Sequence, residues 1–549
     1  MKEYENFENH LDKIIEDIDL SKYPLQSILI LFHMNISACC LDEKFDVSKS
    51  ICNCDSIPSV FSYLLNFLND CDVHTTGSAT DMIGYIPDKL KDNFINVVNY
   101  GAFSEIAPYV WRGIYNIKIN GNLLELQFNQ KYFESEQKDI ILSSLSTSLS
   151  IGNDRKDKEL YSIQVTEYLL KGKFNYDLMK YEIETSKKWY EKHWYNNSLI
   201  PDKIYPQLGF TKKEYFEFQT FWFAFSDYYI KSSNAIVKYI RESGDDSVLI
   251  GNEYLEHISP HLKKEIFYNL LNEKIIGLKE KVFFKIMEIF AVDVKDDFSN
   301  QEGYFPIFFE FENSYMFSPF NIRTRLSPRN LLYILLKTNQ KLFDESLSHF
   351  LEPNLITHAV SLLQNISSLK IEVNKEWGKG EFDIVMYEAE KNIIIHVQAK
   401  GTIPAEGARM TKRLESRMNE GIKQLNRFKK SSDKNKILSE IFKTSIRNPI
   451  IIDVLLGSAG FGTEKIWDKI NNQKIVTLNL SLLHIYIQRY NQQSLDLKNF
   501  FDDINKITNE IIETTNPYLE DITYQIGDKT IVYSGLKYES SKLIKYKYI

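Results

Sequence analysis

The chain has 549 residues, of which 43% are hydrophobic and 13% aromatic, and it contains only 22 glycines and 14 prolines. This composition predicts folded domains with large cores, and it excludes a disordered or collagen-like chain. The net charge of −8 argues against a surface that is generally coated with nucleic acid.

The N-terminal segment is acidic and lacks the apolar region of a signal peptide. The longest apolar runs, such as Ile28–Phe32, fall far short of the roughly 20 residues that a membrane helix needs. We therefore expect a cytoplasmic protein without membrane contact. The heavy use of Ile, Lys, Asn, Tyr and Phe, which have AT-rich codons, suggests a bacterium or phage as the source.

All five cysteines lie within the first 71 residues. Cys52, Cys54, Cys71 and His74 could in principle bind zinc, although their spacing lacks the paired C-x2-C pattern of the strong zinc motifs. Reduced structural thiols are the favoured interpretation.

Residues 1–320 are predicted to form a mainly helical region, of one or more subdomains, that serves in sensing, binding or oligomerisation. An alternating pattern predicts hairpins at Tyr115–Phe128, around Asn120-Gly121, and at Ile307–Phe317, turning at Asn313-Ser314. Helical periodicity predicts helices at Pro24–Ile36, Pro58–Leu68, Arg155–Lys171, Tyr176–His193, Thr211–Arg241, Pro260–Asn272 and Leu278–Phe290. The aromatic residues of Thr211–Arg241 could stack on bases, but a buried helix core is the favoured interpretation.

Residues 328–500 are predicted to form an α/β domain around a mixed sheet, followed by a C-terminal extension at 501–549. The chain as a whole is therefore expected to be a multidomain α+β protein. The predicted elements are helices Pro328–Lys337 and Pro353–Ile366, strands Lys370–Asn374, Glu381–Tyr387 and Asn392–Lys400, helix Ala405–Lys430, strand Pro449–Leu456, a short helix after Gly457–Gly462, strand Lys474–Leu478 and helix Leu482–Arg489.

The strands at 381–387 and 392–400 carry the candidate site. Side chains alternate between the two faces of a strand, so apolar residues can pack into a core while Glu381, Asp383, Gln398 and Lys400 occupy the remaining faces. Carboxylate and amide oxygens beside a lysine suit a hard divalent cation and an anionic phosphate. A plain cross-strand ion pair between Asp383 and Lys400 is the structural alternative.

In this stretch, Gly380-Glu381-Phe382-Asp383 is followed by Gln398-Ala399-Lys400. With a helix before and after, residues 353–480 resemble the PD-(D/E)XK, or restriction-endonuclease-like, nucleases. The Gln-x-Lys ending is similar to the Mrr-like variant, in which glutamine replaces the usual acid. The resemblance covers about a quarter of the chain.

The resemblance implies binding of Mg²⁺, or of Mn²⁺, by Asp383, by the side-chain oxygen of Gln398 and by the backbone carbonyl of Ala399. It further implies that Lys400 holds the attacking water and stabilises charge on the phosphate. Glu381 would be a further ligand, directly or through water, and His396 would support the site from behind. Related families often carry a glutamate in the preceding helix, but the matching turn here is Leu355–Ala359, and the nearest acid, Glu352, is predicted at the helix start.

Residues 400–447 contain thirteen lysines and arginines against five acids, inside an otherwise acidic chain. This charge predicts a polyanion-binding face, or alternatively an ordinary solvated helix. Candidates for backbone phosphate contacts are Arg409, Lys412, Arg413 and Arg417. Gln424 resembles the glutamine of the RecB-type helix motif, and a solvent-facing position on the helix is the favoured alternative.

The Gly457–Gly462 segment (GSAGFG) follows a strand and precedes a helix, so a phosphate-binding loop must be considered. It lacks the Gly-Lys-Ser/Thr of a P-loop, and a tight turn that needs glycine only for its backbone is favoured.

Together these features predict a Mg²⁺-dependent nuclease, with DNA favoured over RNA, in bacterial or antiviral defence or in DNA processing. The N-terminal region would contact a protein partner or form a homo-oligomer. The alternative is an inactive nuclease-fold protein that binds nucleic acid or another protein.

Overall fold

The fold is built from helices and three sheets, and the helices dominate the first part of the chain. The computed structural model describes residues 1–41, 64–68, 71, 86–147, 176–193, 200–244, 257–265, 268, 275–293, 306–311, 313–326, 328–405, 407–492 and 496–546. Within these ranges, no helix combines the length and the apolar character needed to cross a membrane.

The helices up to residue 340 confirm a mainly helical N-terminal region. They are α1 (Lys2–Glu16), α2 (Leu25–Cys40), α3 (Asp88–Trp111), α4 (Gln130–Thr147), α5 (Tyr176–His193), α6 (Lys212–Ser243), α7 (Glu280–Phe290), α8 (Pro319–Arg325) and α9 (Pro328–Thr338). Thr211 and Glu214 form a capping box that starts α6. The predicted helix at Arg155–Lys171 and most of that at Pro58–Leu68 lie outside the described residues, as do Cys52, Cys54 and His74.

The aromatic residues of α6 are core residues. Phe218, Phe221, Trp222 and Phe223 are each at most 1% exposed, and Trp222 packs on Phe308 with ring centroids 4.6 Å apart. A ring with no exposed face has no room for a base, so this stripe stabilises the helical core.

A small sheet in this region has the order β3-β6-β5-β4. Its strands are β3 (His261–Lys263), β4 (Ala291–Asp293), β5 (Phe308–Phe311) and β6 (Ser314–Phe317). The hairpin predicted at Ile307–Phe317 is thus present, but the start of the helix predicted at Pro260–Asn272 is a strand. The prediction was wrong there because β3 pairs with β6, about fifty residues later, and such pairing leaves no local periodicity.

A second sheet joins the two ends of the chain. The predicted hairpin of β1 (Tyr115–Asn120) and β2 (Leu123–Phe128) is extended by β13 (Lys529–Lys537), which runs parallel to β2, and then by β12 (Tyr518–Ile526). The two strands of the predicted C-terminal extension are therefore part of the same sheet as the N-terminal hairpin, whereas its residues Ile504, Ile507 and Ile511 lie in the core of the α/β region.

The third sheet is mixed, as predicted, and has the order β11-β10-β9-β8-β7. Its strands are β7 (Leu369–Trp377), β8 (Gly380–Glu388), β9 (Ile393–Lys400), β10 (Ile450–Gly457) and β11 (Val476–Leu478). The strands β7, β8 and β9 are antiparallel neighbours, whereas β9, β10 and β11 run parallel.

Helices cover both faces of the mixed sheet. They are α10 (Ser348–Leu363), α11 (Gly407–Lys429), α12 (Lys434–Phe442), α13 (Glu464–Gln473), α14 (Leu480–Gln492) and α15 (Phe500–Thr515). Helix α4 of the N-terminal region also enters this core through Ile141, Leu142 and Leu145. The sequence did not predict α12.

Helix α10 begins earlier than its sequence predicts. Pro353 is common in a first helical turn, which suggested a start at that residue. In the structure, a short helix (Gln340–Leu342) and a π-helical turn (Phe343–Leu347) lead without a break into α10, and Pro353 lies inside it. Burial of Phe343 and Leu347 in the N-terminal core stabilises these added turns. Glu352 therefore projects from within a helix rather than from its start.

Candidate functional site

The candidate site lies where β8 begins and β9 ends. The β8–β9 ladder runs as far as the pair Ile384–Val397. Beyond that pair, the side chain of Asp383 links the two strands. Its Oδ2 accepts a hydrogen bond of 2.7 Å from the backbone N–H of Ala399. The β7–β8 pairing also skips Asp383 and the facing residue Asn374, whose φ is 51°. Side-chain contacts thus replace regular pairing between β8 and β9 at this end of the two strands.

The Asp383 carboxyl is only 8% exposed. Burial raises its pKa to about 6, with smaller upward contributions from Glu352 and Glu381, while Lys400 and the Ala399 N–H act in the opposite direction. Desolvation disfavours the ionised form of an acid. A cation bound beside Asp383 would remove that penalty.

Lys400 is almost completely buried, at 2% exposure. Its Nζ lies 3.5 Å from Oε2 of Glu352 on α10. Among the described residues, Lys400 forms its ion pair with Glu352 on the helix, whereas Asp383 is affected by Lys400 only through the lowering contribution to its pKa. The cross-strand ion pair between Asp383 and Lys400 is therefore wrong. The sequence interpretation placed Glu352 at the start of the helix and gave it no role in the site. It could have been found only with the correct start of α10.

Gly401 makes this contact between strand and helix possible. A Cβ atom at this position would lie 2.3 Å from the backbone nitrogen of Glu352 and 2.5 Å from its Cα. Real Cβ contacts are never so short, so only glycine permits the end of β9 to approach α10 this closely.

Gln398 is 1% exposed and lies beside Asp383 on the neighbouring strand. Its Nε2 donates to the backbone carbonyl of Glu381 over 2.9 Å, and lies 3.4 Å from Nε2 of His396. Its Oε1 is buried and has no hydrogen-bond partner among the described residues. An unpaired buried carboxamide oxygen is costly and is suited to bind a cation or a ligand proton.

The carboxylate oxygens of Asp383 and the carboxamide oxygen of Gln398 are suitable ligands for a hard divalent cation, since carboxylate and carbonyl oxygens are its usual ligands. Within the described parts of the chain, no three His, Cys, Asp or Glu side chains are grouped as a metal site. A cation here would therefore need the Gln398 oxygen and a backbone oxygen, such as that of Ala399, in addition to Asp383. Glu381 is exposed, and its carbonyl, rather than its carboxylate, contacts Gln398.

The basic helix α11 packs over this site. Gly421 faces the aliphatic stem of Lys400, because a Cβ added to this glycine would lie 3.4 Å from that stem. The Phe428 ring packs 5.3 Å from His396. Gln424 lies between them on the same face of the helix, since residues three and four apart are neighbours. Its Oε1 is buried and unpaired among the described residues, so the solvent-facing alternative is wrong.

The predicted phosphate-contacting residues are only partly gathered at the site. Arg417 binds Glu352 at 3.5 Å and Glu420 at 3.0 Å, and so lies next to the Lys400 ion pair. Lys412 and Arg413 are exposed on α11. The side chain of Arg409 lies outside the described part of the structure.

The Gly457–Gly462 loop already binds an anion from its own chain. Oδ1 of Asp139, on α4, accepts from the backbone N–H groups of Phe461 at 2.6 Å and Gly462 at 2.9 Å. It also accepts from Nε1 of Trp467 at 3.2 Å. Two of the N–H groups that a phosphate would need are therefore occupied, and the loop serves to attach α4 to the mixed sheet.

No protein-family model matches the sequence, and the searches of curated proteins and of solved structures gave no match.

Proposed function

We propose that this protein is a metal-dependent nuclease whose site is formed by Asp383, Gln398 and Lys400, with Glu352 in support. The observation that carries the proposal is the placement of a buried carboxylate, a buried lysine and an unpaired buried carboxamide oxygen at the adjoining ends of two strands. Such a combination is costly for stability and is typical of functional sites.

A bound Mg²⁺ or Mn²⁺ would stabilise negative charge on a non-bridging phosphate oxygen and lower the pKa of a water nucleophile. Asp383 and the Gln398 oxygen would hold the cation. Lys400 would donate hydrogen bonds to the water or to the phosphate, and its position is held by Glu352. Exposed Lys412 and Arg413 would bind the phosphate backbone without reading sequence.

DNA is the favoured substrate, and a role in bacterial defence or DNA processing follows from the resemblance to PD-(D/E)XK nucleases alone. A second candidate function is nucleic-acid binding without cleavage. It is favoured by one observation, namely that Glu352 already neutralises Lys400, the residue that would act on the water or the phosphate.

The test is cleavage of single-stranded DNA, double-stranded DNA and RNA with Mg²⁺ or Mn²⁺ by wild type, Asp383→Asn and Lys400→Met. Glu390→Gln, in the turn at the opposite end of the β8–β9 hairpin, is the matched control. We expect cleavage by wild type and the control, and a loss of at least about 100-fold in the site variants. Equal cleavage by all four proteins would mean that the assigned site is wrong. Binding without cleavage by wild type, weakening steeply with salt, would favour the second candidate.

A further inference from the structure

Two acceptors contact the amide nitrogen of Gln398, and the unpaired oxygen of the same carboxamide points away from them. One acceptor is the backbone carbonyl of Glu381, at 2.9 Å from Nε2. The other is Nε2 of His396, at 3.4 Å. A carboxamide has donors on its nitrogen and acceptors on its oxygen, so two acceptors on one side orient the whole group.

Whether His396 is an acceptor depends on where its ring carries the proton. Nδ1 of His396 lies 3.2 Å from Oδ1 of Asp453, the directly paired residue on β10. A carboxylate can only accept, so in the neutral ring the proton lies on Nδ1, and Nε2 then keeps a lone pair for Gln398. The contacts therefore form a chain from Asp453 through His396 to Gln398.

The ring of His396 is also fixed in space. It is 1% exposed and packs edge-on against Phe382 and Phe428, with centroids 4.9 and 5.3 Å away. An imidazole packed in this way has little freedom to flip, and a flip is the rotation that would exchange the positions of Nδ1 and Nε2. The orientation of the Gln398 amide is thus set by packing as well as by hydrogen bonds.

We propose that Asp453 and His396 are positioning residues that hold the Gln398 oxygen toward the cation of the site. The inference rests on the proposed function, because it concerns the cation of that same site. Groups that orient a metal ligand from behind commonly change metal affinity by about 10- to 100-fold when they are altered. The same magnitude is expected here, since a turned Gln398 would present N–H groups to the cation.

The experiment is isothermal titration of the full-length protein with Mn²⁺, alongside thermal melting without metal. His396→Phe keeps an aromatic ring between Phe382 and Phe428 but removes the acceptor, whereas His396→Gln can return an acceptor oxygen near Gln398. Asp453→Leu leaves Nδ1 without an acceptor. Lys429→Gln, whose Nζ lies 3.9 Å from Asp453, controls for a change of local charge.

We expect Mn²⁺ affinity to fall about tenfold in His396→Phe and Asp453→Leu, to recover in part in His396→Gln, and to be unchanged in Lys429→Gln. His396→Phe should melt no lower than wild type without metal. The inference is overturned if His396→Phe binds Mn²⁺ like wild type, if affinity follows melting temperature across the variants, or if wild type binds no Mn²⁺. A wild type that binds Mn²⁺ but cleaves nothing would sink the nuclease proposal alone.

Discussion

The Nζ atom of Lys400, at the end of β9, lies 3.5 Å from Oε2 of Glu352, in the second turn of α10. This pair joins the candidate site to the helix, and Glu352 also contributes to the raised pKa of Asp383. A strand end, a helix and a second strand thus share one electrostatic environment.

Replacement of Gly401 by alanine should disrupt the ion pair between Lys400 and Glu352. The added Cβ would overlap the backbone of Glu352, so α10 must move away from β9. We expect a loss of about 1–3 kcal/mol in the free energy of unfolding, measured with urea, together with a loss of cleavage. Gly378→Ala is the control, because no described atom lies within 4 Å of a Cβ there. Equal stability of the two variants would contradict the close approach.

Glu352→Gln should weaken the site without unfolding the protein. The amide still accepts a hydrogen bond from Lys400 but no longer provides the opposing charge. We expect cleavage and Mn²⁺ affinity to fall about tenfold, as for other residues that support a metal site. Glu345→Gln, exposed in the helical turn before α10, should match wild type. Unchanged activity in Glu352→Gln would show that this residue does not support the site.

Gln398→Glu tests the orientation of the amide. A carboxylate oxygen in place of Nε2 would face the Glu381 carbonyl and Nε2 of His396, and both are acceptors when the imidazole is neutral. We expect the metal-free variant to lose about 1–3 kcal/mol in the free energy of unfolding. In Gln473→Glu the side chain keeps its role as acceptor from Asn426, so its stability should be unaffected. A stable Gln398→Glu protein would show that the amide nitrogen is not held as described.

Glu136 on α4 should make stability depend on pH. Its pKa is raised to about 8 by burial and, to a smaller extent, by Asp139 and Glu464, and its Oε1 has no partner among the described residues. The folded state therefore holds this proton more tightly than the unfolded state. The stabilisation is complete below about pH 4.5 and is lost as the pH rises through about 8.

Glu136→Gln should accordingly be more stable than wild type at alkaline pH, by an amount on the order of 3 kcal/mol above pH 8. The measurement is urea unfolding of both proteins between pH 5 and pH 9. Glu134→Gln, exposed on the same helix, is the control and should give a constant difference. A difference between wild type and Glu136→Gln that does not grow with pH would contradict the buried, unpaired carboxyl.

Much of the local structure was predictable because its signals lie within a few residues. The hairpin at 115–128, the helix α6 and the strands β8 and β9 all follow from periodicity, capping and turn residues. The same alternation predicted that Asp383, Gln398 and Lys400 would be neighbours on adjoining strands. No local signal marked β3, which forms only by pairing with β6.

The sequence by itself determined the strand faces, the basic character of α11 and the residue types at the site. The tertiary structure decided which of those residues touch. Pairing of β13 with β2 joins segments about four hundred residues apart, and the contact of Glu352 with Lys400 depends on where α10 starts and on how closely Gly401 lets it approach. The orientation of Gln398 depends on His396 and on Asp453, from another strand. Such contacts are set by packing between distant segments, which local sequence patterns do not encode.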